Sequence, residues 1–247
     1  MKALGLDIAT LTGWSLIEDG KLIDYGTIQI NSQMDLPQRL HYFHLELTRV
    51  LERIQPDWCF VEDVILGISG AKTLAYLGRL NGVALNSCFG VMQQRVKLYT
   101  PDYWKANSID GLGGHAKKWQ IQLAVVKHFD VPITGNFESI ENQVLAHEGE
   151  IEDKKVECNS IRADINTMKA ALVRKRNPLD EDQKKALKNT IKEHEKSSKQ
   201  CKVDLKKIQT DFDKVMTKTC LDISAQTGLT PDICDSCGVA LCGIKEL

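Results

Sequence analysis

Four acids in this chain have the setting that metal-assisted phosphodiester chemistry needs. Asp7 lies inside the apolar run Ala3-Leu-Gly-Leu-Asp-Ile-Ala, and Glu62 inside Trp58-Cys-Phe-Val-Glu-Asp-Val-Ile-Leu66. Asp232 and Asp235 stand three apart just after Thr230-Pro231, on one face of a helix start whose positive end favours anions. An acid in a buried strand is costly unless a cation compensates it. Each strand acid therefore has a basic partner or is a metal ligand. Clustered carboxylates repel and raise one another's pKa, which a divalent cation relieves. Oxygen ligands favour magnesium or manganese over zinc. Two such ions about 4 Å apart suit phosphodiester cleavage, activating water and stabilising the leaving oxygen. Taken singly, each acid also has a plainer reading, since an Asp at a helix start is commonly only a cap.

The elements that must position these acids follow from patterning. Ala3 to Ile30 reads as a β-meander, turned at Asp19-Gly20. Leu36-Pro37 opens a helix in which Leu40, Phe43, Leu47, Val50, Leu51 and Ile54 share one face, stopped by Gln55-Pro56. A buried strand over Trp58–Leu66 precedes the loop Gly67–Gly70 and a helix over Ala71–Phe89. Val91–Tyr99 is expected as a strand, Gly111–Gly114 as a loop and His115–Phe129 as a helix with Ile121, Val125 and Phe129 inside. Strands alternating with helices after a meander indicate an α/β layer fold.

Composition sets few limits. At 247 residues and 43% hydrophobic, the chain can bury a core of one domain plus an addition. A net charge of −1 means that nucleic-acid binding would rest on local patches. No run reaches the length of a membrane span, and Asp7 interrupts the first apolar segment, against a leader peptide. Eight scattered cysteines read as a reducing, intracellular, cytoplasmic setting. Cys234 and Cys237 lack a second ligand pair nearby, so packing is favoured over zinc.

From Glu138 to about Asp222 glycine and proline nearly vanish and charge is dense. Apolar or small positions recur at steps of four and three from Ile140 through Val144, His147, Ile151, Lys154, Cys158, Ile161, Ile165 and Met168 to Leu172. After the break at Arg176-Asn-Pro, a second seam runs from Leu187 through Ile191, His194, Ser198, Cys201, Leu205, Ile208, Phe212 and Val215 to Thr219. Facing positions share the sum 359, among them Cys158 with Cys201 and Leu172 with Leu187, as an antiparallel helical hairpin requires. Each arm spans roughly 48 Å at 1.5 Å per residue. The base is acidic, with seven acids against two lysines over residues 138–157. The tip is basic, with eight bases against three acids over residues 169–192. Arg174, Lys175 and Arg176 at the tip are therefore expected to contact DNA phosphates, with a docked protein partner or a solvated tip as alternatives.

Several stretches in order resemble the RuvC group of Holliday-junction resolvases, which have the RNase H-like fold. They are Leu6-Asp-Ile-Ala with Thr12-Gly13, Val61-Glu62, Lys72-Thr-Leu-Ala-Tyr-Leu-Gly78 through Gly82, Tyr99-Thr-Pro101, Gly114-His-Ala-Lys-Lys118-Trp-Gln-Ile-Gln122, and Asp232-x-x-Asp235. The resemblance implies an RNase H-like mixed sheet flanked by helices, with the long antiparallel coiled-coil hairpin inserted. Residues 1–135 and 223–247 would form the nuclease core and 136–222 the hairpin. It implies a homodimer that cuts four-way DNA junctions with two Mg2+ ions per site, Mn2+ substituting, and no membrane role. Asp7, Glu62, Asp232 and Asp235 would be the catalytic metal carboxylates. Lys118 would be the basic residue near the scissile phosphate, with Lys117 the second choice. Lys72, Arg79, His115 and Lys117 fall in the matching stretches as DNA contacts.

Two features depart from that family. The segment after Glu62 has no aromatic wedge, leaving Ile65 or Ile68 for that role, and the hairpin resembles elaborated viral or phage forms, which would act in a host cytoplasm. Rival readings are a broader nuclease for forked or branched DNA, a non-catalytic adaptor with a nuclease-like core, and an actin-like phosphotransferase, whose second lobe has no room here.

Overall fold

The computed structural model describes residues 1–65, 70–93, 95–133, 137–173 and 180–247. The chain divides into two compact units, residues 1–134 with 219–247, and residues 135–218.

The first unit is built on a mixed five-stranded sheet in the order β3-β2-β1-β4-β5. The strands are β1 (Lys2–Asp7), β2 (Leu11–Glu18), β3 (Lys21–Gln29), β4 (Trp58–Glu62) and β5 (Val96–Tyr99). The meander strands pair antiparallel, while β4 and β5 continue the sheet parallel to β1. Alternation sorts the side chains. Leu4, Leu6, Trp14, Leu16, Cys59 and Val61 belong to one core with Phe43, Leu47 and Leu51 of α1 (Leu36–Ile54) and Leu80, Ala84, Cys88 and Met92 of α2 (Ala71–Met92). The intervening residues Gly5, Asp7, Gly13, Phe60 and Glu62 face the other way, toward α7 (Pro231–Lys245). This is the expected mixed sheet flanked by helices.

Helix starts follow their caps. Asp35 and Gln38 form a capping box at α1, and Thr230 caps α7 through Ile233 N–H, with Pro231 in the first turn. Four boundaries differ from the sequence expectation. Strand β4 ends at Glu62 rather than Leu66, because its ladder to β5 ends where Glu62 pairs with Tyr99. Helix α2 continues to Met92 because Cys88 and Met92, one turn apart, both enter the core, so the next strand starts only at Val96. An unforeseen short helix, α3 (Pro101–Asn107), begins at Pro101 and buries Trp104. Helix α4 (Lys118–His128) begins three residues after His115, and Phe129 caps its end half-buried rather than inside.

Helix α7 is buried nearly all round, between the sheet and helices α3 and α4. It lies close to the sheet because glycines meet it. A Cβ on Gly5 would overlap the Ser236 carbonyl oxygen, and one on Gly13 would overlap that of Asp232. On the helix side, Gly238 admits the Trp104 ring and Gly243 the Phe60 ring. The approach to α7 is held by Gly228 in a left-handed turn (φ +75°) and by Tyr25 Oη, which donates to the Thr227 carbonyl at 2.6 Å. Buried Gln122 of α4 donates to the carbonyls of Cys220 and Leu229.

Gly13→Ala is expected to cost more than the roughly 1–3 kcal/mol usual for overpacking, because the obstructing atom is backbone that cannot rotate away. Urea denaturation would show it as a lowered midpoint, and a wild-type midpoint would refute the close-packing account.

The second unit consists of α5 (Phe137–Leu172) and most of α6 (Glu181–Thr227), which runs unbroken into the first unit. The two helices are antiparallel and in the register of the shared sum. Cys158 and Cys201 are joined as a disulfide, against the reducing setting read from the scattered cysteines, because the register sets them face to face with Cα atoms 5.8 Å apart, inside the usual range. The His147 and Phe212 rings stack at 4.8 Å, and Lys169 bridges Glu195 at 2.7 Å. One seam position is corrected. Val215 points outward at 45% exposure, and Met216 takes the inner place. The consecutive steps of four through Phe212 and Met216 reflect the drift of a 3.6-residue helix against a 3.5-residue repeat.

Candidate active site

Strand register brings the first two acids together. Leu6 pairs with Val61 across parallel β1 and β4, so the next residues, Asp7 and Glu62, stand side by side at the strand ends. Asp7 also pairs with Gly13 on β2, and the Asp232 carbonyl occupies the space a Gly13 side chain would need. The first turn of α7 is thereby held over Asp7. Carboxylate oxygens of Asp7, Asp232 and Asp235 all lie within 4.8 Å of one another. Glu62 is not one of these three, but its charge is among the causes that raise Asp7.

The electrostatics of the cluster are those of crowded, buried acids. Burial first, then the charges of Glu62 and Asp235, push Asp7 well above the usual carboxylate range, against the pull of Lys118. Glu62 rises to about 7 through burial and the Asp235 charge, offset in part by a hydrogen bond from Trp104 Nε1 to its Oε2 at 2.8 Å. Asp235 rises to about 6, again chiefly through burial, with Lys118 and Lys105 opposing. Asp235 Oδ1 is buried without a hydrogen-bond partner among the described residues. Three converging carboxylates, raised affinities for protons and an orphaned oxygen fit a site for a hard divalent cation.

Lys118 opens α4 and reaches the cluster, its Nζ 2.8 Å from Asp232 Oδ1 and 3.9 Å from Asp235 Oδ2. Burial would lower its pKa, but the Asp232 hydrogen bond and the surrounding acids prevail and raise it. It stays a cation.

The other expected contacts lie elsewhere. Lys72 and Arg79 are exposed on α2, and Lys117 is the exposed residue that caps α4, its N–H donating to Gln120. His115 is exposed and stands 3.8 Å from Asp102. Ile65 helps line a small pocket of about 160 Å³ beside Glu62, with Ile8, Leu74 and Leu77. Ile68, Arg174, Lys175 and Arg176 lie outside the described residues. Cys234 and Cys237 are buried on α7.

Sequence reading passed over Trp104, Lys105 and Asn81. Trp104 holds the Glu62 side chain, Asn81 Nδ2 donates to the Glu62 carbonyl at 2.9 Å, and Lys105 lowers the pKa of both Glu62 and Asp235. The available signal was Thr100-Pro101, a helix start that would have aimed Trp104 inward.

Comparison with known proteins bears on residues at this site. The family model described as crossover junction endodeoxyribonuclease RuvC matches residues 3–138, which include Asp7, Glu62 and Lys118. A curated relative of that name from Ehrlichia chaffeensis is 32% identical over 150 residues, covering 59% of this chain and 94% of its own. Another, from Syntrophomonas wolfei, is 36% identical over 132 residues, covering 51% and 74%. A solved structure, T. thermophilus RuvC in complex with Holliday junction substrate, aligns over 55% of this chain and 84% of its own, at 21% identity and a TM-score of 0.47. Asp232 and Asp235 lie beyond the matched stretch, and it is the fold of α7 that returns them to Asp7. With more than half its length matched by the family model, the chain belongs to the RuvC family of crossover junction endodeoxyribonucleases.

Proposed function

We propose that this chain is a metal-dependent endonuclease that resolves four-way DNA junctions by paired phosphodiester hydrolysis. The observation that carries the reading is the convergence of Asp7, Asp232 and Asp235, acids from opposite ends of the chain, within 4.8 Å. Asp7, Glu62, Asp232 and Asp235 would hold two Mg2+ ions, with Mn2+ substituting. When bound, such ions supply water activation and stabilisation of the leaving oxygen. The chain's own groups do the positioning. Trp104 Nε1 fixes one oxygen of Glu62, and the Asn81 amide holds the backbone at the same residue. Glycines 5 and 13 bring α7 against the strand ends. Lys118, kept cationic by the acids, can place its ammonium on a phosphate oxygen where negative charge grows as the phosphodiester is cut.

The proposal includes a homodimer acting inside the cell, since opposed strands of one junction need two sites. Residues 1–135 and 223–247 would be the nuclease core and 136–222 an inserted arm. No helix among the described residues is long and apolar enough to cross a membrane.

The test is a panel of labelled four-way, forked and duplex DNA, with and without Mg2+. Symmetric cutting of the four-way substrate only when Mg2+ is present is expected. Equal cutting of forks would favour the broader nuclease, a reading supported by aliphatic Val64 and Ile65 where the family carries an aromatic. No cutting of any substrate would leave the adaptor. Lys118→Met should lower single-turnover cleavage by about 10²-fold, the scale for losing one charge-stabilising donor. A near wild-type rate at saturating junction would remove Lys118 from the chemistry.

A further inference from the structure

The outer face of α6 carries a second feature that the acid cluster does not use. Lys185, Lys188, Lys192, Lys196, Lys199 and Lys206 recur at steps of three, four, four, three and seven residues, which keeps them on one side of a helix. All six are exposed, and they lie opposite the inward positions Leu187, His194, Cys201 and Leu205. Between Lys185 and Lys207 the other residues on this stripe are Asn189, Gln200 and Val203, so over that length it contains no acid; Glu181 stands one turn before it.

The acids of the same stretch sit at its flanks, where two are already engaged across the hairpin. Glu195 pairs with Lys169 at 2.7 Å, and Asp204 lies 3.9 Å from Lys154, both lysines of α5. Among the described residues none of the six stripe lysines makes an ion pair within 4 Å, and only Lys188 and Lys199 act at longer range on acids, Glu181 and Glu195. A face that only keeps a helix in solution mixes both signs, as the flanks do here. The outer face of α5 shows no matching basic row: along Leu145, Gly149, Glu152, Val156, Ala163 and Thr167 its one charge is an acid.

From this segregation we infer that the outer face of α6 is a docking surface for the sugar-phosphate backbone of duplex DNA, separate from the cutting site. Its choice of DNA among polyanions rests on the nuclease reading above. From Lys185 to Lys206 the row extends roughly 32 Å at 1.5 Å per residue. That is close to one turn of duplex DNA, about 34 Å, so one junction arm offers phosphates along the whole row. Lysines on flexible stems contact phosphates without reading bases, so the surface adds affinity and orientation but no sequence preference.

The test uses the full chain in EDTA, which removes cutting. Binding of a duplex of about 30 base pairs, long enough to span the row, is titrated across 50 to 200 mM salt, the range over which counterion release is read. In the variant Lys188→Gln, Lys192→Gln, Lys196→Gln and Lys199→Gln, affinity should fall by roughly 30-fold and the salt slope should flatten by about 3.6, near 0.9 for each of the four lost phosphate contacts. The same four positions changed to Arg should restore both values, and circular dichroism should show wild-type helix content in each protein. Wild-type affinity and slope in the Gln variant would overturn the inference. So would an Arg variant as weak as the Gln variant, which would point to lost structure rather than lost charge. If the Gln variant loses binding to polyglutamate or anionic vesicles while duplex binding is unchanged, the partner is another polyanion and the DNA assignment falls. The nuclease reading is judged separately, by wild-type cutting of four-way DNA with Mg2+. Its failure alongside a charge-dependent duplex slope would leave the surface standing.

Discussion

Asp7→Asn is expected to lower junction cleavage by about three orders of magnitude or more while binding survives or tightens. The substitution keeps the size of the side chain and its place at the end of β1 but removes one negative ligand. Asp7 is nearly buried, at 9% exposure, and the charges of Glu62, Asp235 and Asp232 all act to raise its pKa. Removing its charge therefore relieves repulsion at the core of the site and reduces repulsion toward an incoming phosphate. The metal-free variant should for that reason be more resistant to urea than the metal-free wild type, although its chemistry is lost. Three measurements separate the possibilities: single-turnover cleavage with Mg2+, junction binding in EDTA, and the urea midpoint in EDTA. A variant that still cuts at near wild-type rate would remove Asp7 from the metal site.

The second large effect is a reversal of pH dependence by the cation. In the metal-free protein Glu62 is raised from 4.5 to about 7 and Asp235 from 3.8 to about 6. A raised folded-state pKa means that the native state binds protons more tightly than the unfolded chain. The associated stability is complete below the unfolded values near 4, and it is lost as pH rises through about 6 and 7. Each group alone corresponds to about 3 kcal/mol between those limits. The surface acids held by cations, Glu181 by Lys184 and Glu195 by Lys169, have lowered pKa values and act the other way, losing stability only in more acid solution. Metal-free protein should therefore melt at a higher temperature near pH 5 than near pH 8. Mg2+ binds the ionised carboxylates, so adding it should raise Tm by roughly 5 °C or more at about pH 8 and much less at about pH 5. Equal shifts at the two pH values would show that the carboxylates are not what the cation binds.

Much of this protein is written locally in its sequence. Alternation in β1, β2 and β4 dictates that Asp7 and Glu62 share a face, since a strand reverses its side chains at every residue. Thr230-Pro231 dictates where the last helix starts and hence that Asp232 and Asp235 lie on its first turns. Steps of three and four, with facing positions sharing one sum, dictate the register in which Cys158 meets Cys201. These are short-range steric and hydrogen-bond preferences, or a single repeated pattern folded on itself, so they can be read without knowing the rest of the chain.

Tertiary structure decided what distance along the chain hides. Asp7 and Asp235 are 228 residues apart, and no local rule joins them. Their meeting depends on Gly5 and Gly13 leaving room for the α7 backbone, which shows in the sequence only as two glycines in apolar strands. The role of Trp104 was hidden for a similar reason. Its indole packs on Gly238 while its Nε1 holds Glu62, so its place depends on two partners far off in sequence. Met216 displaced Val215 from the seam because helical drift accumulates over many turns, beyond what a strict repeat foresees. The types of the acids came from the sequence, whereas their crowding, and with it the raised proton affinities that call for a cation, arose only when sheet and helix closed on one another.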